Sequence, residues 1–81
     1  MTEVVLYTRP GCHLCDEARE ILERVRAEAR FVLHERDISA DDALHARYLE
    51  RIPVVTIDGE EAFALEVDEA GLRERLVRVQ R

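Results

Sequence analysis

The chain has 81 residues, 47% hydrophobic and 37% charged, with a net charge of −6 and no tryptophan. That size is a single domain over 1–81 with apolar residues enough for a core without staples, and the composition excludes a disordered or low-complexity chain. All twelve basic residues are arginines scattered among glutamates, which argues against nucleic acid or an anionic membrane as partner and excludes lysine Schiff-base chemistry.

The first residues show no basic stretch followed by an apolar one, and no apolar run approaches a membrane span. A soluble, cytoplasmic, monomeric protein is the expectation. Val4 to Thr8 is apolar on both faces, as in a parallel strand covered on each side. Pro10-Gly11 turns the chain, and Cys12-His13-Leu14-Cys15, holding both cysteines of the protein, stands where a helix begins. A thiol there meets unpaired backbone N–H groups and the positive end of the helix dipole, which favour its thiolate. Cys12 is therefore the candidate nucleophile. Cys15, one turn along, can close a short reversible disulfide with it. A static disulfide of that size would stabilise little. The stronger rival is a zinc half-site, with His13, His34 and His45 as nitrogen donors, but no second Cys-x-x-Cys and no closely spaced His pair follows. Two cysteines confined to one motif fit a reducing compartment.

Leu14, Ala18, Ile21, Leu22, Val25 and Ala29 mark the apolar face of the first helix, and Asp16, Arg19, Glu20 and Arg24 its solvated face. Asp16 and Glu17 lie near Cys15 and oppose its ionisation. Phe31 to Ile38 reads as a second strand reached by a right-handed crossover. Ser39-x-x-Asp42 has the spacing of a capping box opening a short helix through Leu44 and Tyr48. Pro53 ends that segment and Val54 to Ile57 forms a third strand. Asp58-Gly59 supplies a two-residue hairpin turn into a strand around Ala62 to Leu65. Asp68 caps a last helix with Leu72, Leu76 and Val79 on its apolar face. Tyr7 and Tyr48 fall on core-facing positions, whereas His34 and His45 complete surfaces. The order is βαβαββα.

Tyr7 to Cys15, then Asp37-Ile38, Arg51-Ile52-Pro53-Val54-Val55 and Asp58-Gly59, together resemble a small glutaredoxin-like protein of the thioredoxin fold, over nearly the whole chain. The resemblance implies an α/β fold with a four-stranded mixed sheet in the order 2-1-3-4 and helices on both faces. It also implies a cis Ile52-Pro53 bond beside Cys12, which aims the backbone of Ile52 at an extended substrate. Arg9 stands where the family has a cation ahead of its first cysteine, and Arg51 adjoins the substrate backbone. A protonated His13 imidazole would favour the Cys12 thiolate. Asp68 and Glu69 would face a glutathione amino group. The Gly-Gly ahead of the family's last helix has no counterpart in Ala64-Leu65-Glu66-Val67-Asp68, and Glu66 would repel a glutathione carboxylate, so weak glutathione binding is expected.

These observations point to a dithiol thiol–disulfide oxidoreductase without a bound cofactor. Its substrates would be disulfide-containing proteins or low-molecular-weight thiols, with a reductase or glutathione as electron donor. The alternatives are a metal or iron–sulfur module using the same cysteines, and a non-catalytic interaction domain.

Overall fold

A computed structural model describes residues 1–80 of the protein. Strand β1 (Glu3–Thr8) leads into the 17-residue helix α1 (His13–Ala29), strand β2 (Val32–Asp37) and a 3₁₀ turn over Ile38–Ala40. Helix α2 (Asp42–Tyr48), the hairpin β3 (Val54–Ile57) and β4 (Glu60–Ala64), and helix α3 (Glu69–Val79) complete the chain. The sheet order is β2-β1-β3-β4. β1 runs parallel to β2 and antiparallel to β3, and β3 is antiparallel to β4. This is the expected mixed sheet.

Each connection has a local cause. Arg9 O accepts from Cys12 N at 3.3 Å, and Gly11 takes φ +79°. Proline followed by a residue at positive φ is the signature of a type II turn, and glycine adopts that φ without steric cost. Asp58 and Gly59 both have positive φ, 49° and 87°, as a two-residue type I′ hairpin requires. The Asp58 carboxylate also accepts from Glu3 N at 2.9 Å, which ties the hairpin to the start of β1.

The main core lies between the sheet and helices α1 and α3. Val4 and Leu6 of β1 meet Val55 and Ile57 of β3, Ala18, Leu22 and Val25 of α1, and Leu72 and Leu76 of α3. Burying a leucine side chain stabilises by about 1.5–3 kcal/mol, so this apolar layer holds α1 and its cysteines on the sheet. On the other face a smaller cluster of Ile38, Tyr48 and Val54 packs with Tyr7, Leu44, Ile52 and Ala64. The rings of Tyr7 and Tyr48 lie 4.7 Å apart, centre to centre.

Several boundaries and roles differ from the sequence expectation. Val5 and Tyr7 are only half-buried, because the seven-residue α2 is too short to cover the whole second face of the sheet. β2 is framed by Phe31 and Ile38 rather than including them, since Ile38 opens the 3₁₀ turn that Asp37 caps by accepting from Ser39 N. That turn displaces the expected capping box. Asp41, not Ser39, caps α2, accepting from Ala43 N and Leu44 N. Asp68 occupies the N-cap position of α3 but makes no side-chain capping bond. Val79 is exposed rather than apolar-facing. β4 begins at Glu60 and stops at Ala64, where Leu65 turns to φ +72°.

The charges of α1 do more than face solvent. Arg19 pairs with Asp16 on its own helix and with Glu35 of β2, and these partners hold its guanidinium charged. Arg24 reaches Glu69 of α3 at 2.7 Å, and Arg73 joins Glu69 to Glu28. These pairs bracket the core on its exposed side.

Candidate functional site

The end of β1 and the start of β3 meet at one edge of the molecule. Tyr7 pairs with Val54, which sets Pro53 alongside the strand that delivers the Pro10-Gly11 turn. Beyond that turn Cys12 is the N-cap of α1, with extended backbone at φ −88° and ψ 108°. Its sulfur accepts from Cys15 N at 3.2 Å, as an N-cap side chain satisfies one of the free N–H groups of the first turn. The chain then folds Cys15 back, so that the two Cα atoms are 5.2 Å apart and the sulfurs form a disulfide. Cys12 is half-buried and Cys15 fully buried beneath it.

The Ile52-Pro53 peptide bond is cis, and the Pro53 side chain is fully buried. The backbone around it is held on both sides. Arg51 N and Ile52 N donate to Tyr48 O at 2.8 and 3.0 Å, and Leu65 N donates to both Arg51 O and Pro53 O. The α2–β3 connection is thereby fastened to the end of β4.

The remaining candidate residues separate to the two flanks of the disulfide. Arg9 is exposed and lines a cleft with Asp16, Arg19, Glu35 and Asp37 on the β2 side. Asp37 is held below the ordinary carboxylate range chiefly by the Ser39 hydroxyl and backbone N–H, with Arg9 adding to the effect. On the opposite flank Asp68 lines a groove of about 600 Å³ with Leu14, Ile21, Phe63 and Leu65. His13 projects into solvent, its side chain 87% exposed and 4.0 Å from Glu17. Arg51 pairs with Glu61, and Glu69 with Arg24 and Arg73, which hold its carboxyl below the usual range. His34 pairs with Glu3 at 3.0 Å. Among the described residues no three His, Cys, Asp or Glu side chains are gathered as metal ligands, and no helix is long and apolar enough to cross a membrane.

Sequence reasoning missed the groove. Leu14 reads as the first residue of the apolar helix face, yet it is 45% exposed, and Leu65 is 52% exposed. The available signal for Leu14 was its place between the cysteines, on the side of the first turn away from the buried Cys15.

Fold and disulfide define a thioredoxin-fold protein with a Cys-x-x-Cys pair at the first turn of its first helix. Residues 3–77 match the glutaredoxin-like domain family, and the chain belongs to it. An uncharacterized protein of Mycobacterium bovis is 35% identical over 81 residues, covering 94% of this chain and 84% of that one, and one of Mycobacterium tuberculosis matches equally. The crystal structure of a structural-genomics target from X. campestris is similar with a TM-score of 0.79 at 34% identity, over 93% of this chain and 96% of that one. A mutant thioredoxin of Halobacterium salinarum shares the fold with a TM-score of 0.75 at 18% identity, over 99% of this chain and 75% of that one.

Proposed function

We propose that this protein is a cytoplasmic dithiol thiol–disulfide oxidoreductase. The observation that supports it is the asymmetry of the pair: a half-buried Cys12 whose sulfur accepts from the Cys15 N–H at the helix start, beside a fully buried Cys15. In the reduced protein the same N–H and the helix dipole favour the Cys12 thiolate. Cys12 attacks one sulfur of a substrate disulfide, a mixed disulfide forms, and the other substrate sulfur leaves as a thiol. Cys15 then gives up its proton and attacks Cys12, releasing the second substrate thiol and closing the Cys12–Cys15 disulfide. Two electrons pass from the protein to the substrate, and a reductase or a low-molecular-weight thiol restores the dithiol. Because Ile52 N donates to Tyr48 O, its carbonyl is the backbone group left to meet an extended substrate.

Trapping tests this reading. Cys15→Ser should accumulate Cys12 mixed disulfides seen as mass adducts, while Cys12→Ser should form none. In the reduced wild type Cys12 should alkylate before Cys15 at mildly acidic pH. Equal alkylation of both thiols, or no adduct on Cys15→Ser, would overturn the assignment.

A further inference from the structure

Resting on that function, we infer that the groove between the start of α1 and the β4–α3 connection selects cationic protein segments. Its occupant is a disulfide-bearing stretch with an apolar side chain flanked by arginine or lysine, in preference to an anionic thiol such as glutathione.

The groove begins at Leu14, between the two cysteines in the chain, so a segment filling it extends away from the neighbourhood of the disulfide. Its wall is apolar, with Ile21 and Phe63 below and Leu14 and Leu65 largely exposed at the rim. Covering those two leucines removes apolar surface from water at about 25 cal/mol per Å². Every charged side chain lining the groove is a carboxylate: Glu17, Glu66 and Asp68. Glu66 and Asp68 have no ion-pair partner among the described residues, and Asp68 is not engaged in capping α3.

The nearby cations are occupied elsewhere, Arg51 by Glu61, and Arg24 and Arg73 by Glu69. None of these three arginines is therefore free for an incoming carboxylate in the groove. One backbone donor is also withdrawn from an anionic ligand, because Leu65 N–H is shared between the Arg51 and Pro53 carbonyls. An anionic ligand meets three like charges and loses a donor there, whereas a basic segment with one apolar side chain matches both wall and rim.

The test uses reduced wild-type protein in single-turnover reactions with four disulfides. Three are symmetric peptide disulfides alike except that the Cys-Leu pair is flanked by Arg, Gln or Glu, and the fourth is oxidised glutathione. In each reaction one protein dithiol becomes the Cys12–Cys15 disulfide and one substrate disulfide becomes two thiols. The Arg peptide should react about tenfold faster than the Glu peptide and glutathione at low ionic strength, the size expected for electrostatic steering. The Gln peptide should fall between, and the spread should collapse in high salt.

The double change Glu66→Gln with Asp68→Asn should remove the preference, whereas the same charge change away from the groove, Glu20→Gln with Glu60→Gln, should keep it. Equal loss in both double variants would assign the effect to net charge and overturn the groove. Reaction of the Gln peptide with no preference between Arg and Glu, or faster reaction of glutathione, would overturn the substrate class and leave the oxidoreductase standing. Reaction with none of the four would overturn both.

Discussion

Between the sheet and helices α1 and α3 lies a continuous apolar layer in which Val4, Leu6, Leu22, Val25, Leu72 and Leu76 have no exposure at all. The α2 side buries only Ile38, Tyr48 and Val54 as its centre, and leaves Val5 and His34 along an open concavity of about 940 Å³. The two halves of the candidate site hang on these unequal supports. The cysteines ride on α1, fixed by the larger layer and the Arg24–Glu69–Arg73 pairs, while Ile52-Pro53 follows α2. Regions with fewer buried apolar contacts open at lower free energy. The protein thus carries its sulfurs on the larger apolar layer and Pro53 at the margin of the smaller one.

The largest effect should come from cutting the larger layer. Leu22→Ala should cost about 2–5 kcal/mol, the range for buried leucine truncations, whereas Leu44→Ala, half-buried on the α2 side, should cost about 1 kcal/mol. Urea unfolding measures both, and equal losses would break the comparison. Native-state hydrogen exchange should likewise release α2 amides before those of α1.

Next come the two aspartates at helix starts. Asp41→Ala removes two capping bonds from α2 and should cost about 1 kcal/mol. Asp68→Ala removes none from α3 and should change stability by less than about 0.5 kcal/mol. Thermal unfolding of the pair would sharpen how far α2 depends on its cap, and a larger cost at Asp68 would contradict the capping geometry.

The smallest effect concerns the ion pairs over the larger layer. Arg24 first, and Arg73 after it, lower the Glu69 carboxyl from its ordinary 4.5. A carboxylate with a depressed folded pKa adds stability that is complete above its unfolded value and disappears as pH falls through the folded one. Thermal unfolding of wild type and Glu69→Gln should therefore differ at neutral pH and converge in acid below that window, and in high salt, as exposed pairs do. A gap unchanged by acid would mean that Glu69 acts through packing instead.

The sequence carried the topology because its punctuation is local chemistry. Pro10-Gly11 and Asp58-Gly59 specify turns that few other dipeptides would make, and an apolar four-residue run after Pro53 is a buried strand in either context. Cys12 at the cap and Cys15 one turn inside follow from the first of those turns. The start of α2 was not legible, because Ser39 and Asp42 carry the spacing of one cap while the intervening 3₁₀ turn hands the role to Asp41. Val79 shows a different limit, since helical periodicity gives the face but not where along the helix the core stops covering it. The groove joins Leu14 to residues some fifty positions later, and no local pattern announces that Leu65 and Glu66 will line it with Leu14.

The burial of Cys15 one turn below Cys12 also bears on survival under peroxide. An oxidant reaches the outer sulfur first and converts it to a sulfenic acid, the stage from which further oxidation becomes irreversible. With a second thiol already within bonding reach, that sulfenic acid condenses to the disulfide and expels water. On the proposed chemistry the inner cysteine would shield the outer one from permanent damage, and a thiol donor able to reduce the pair would return the protein intact.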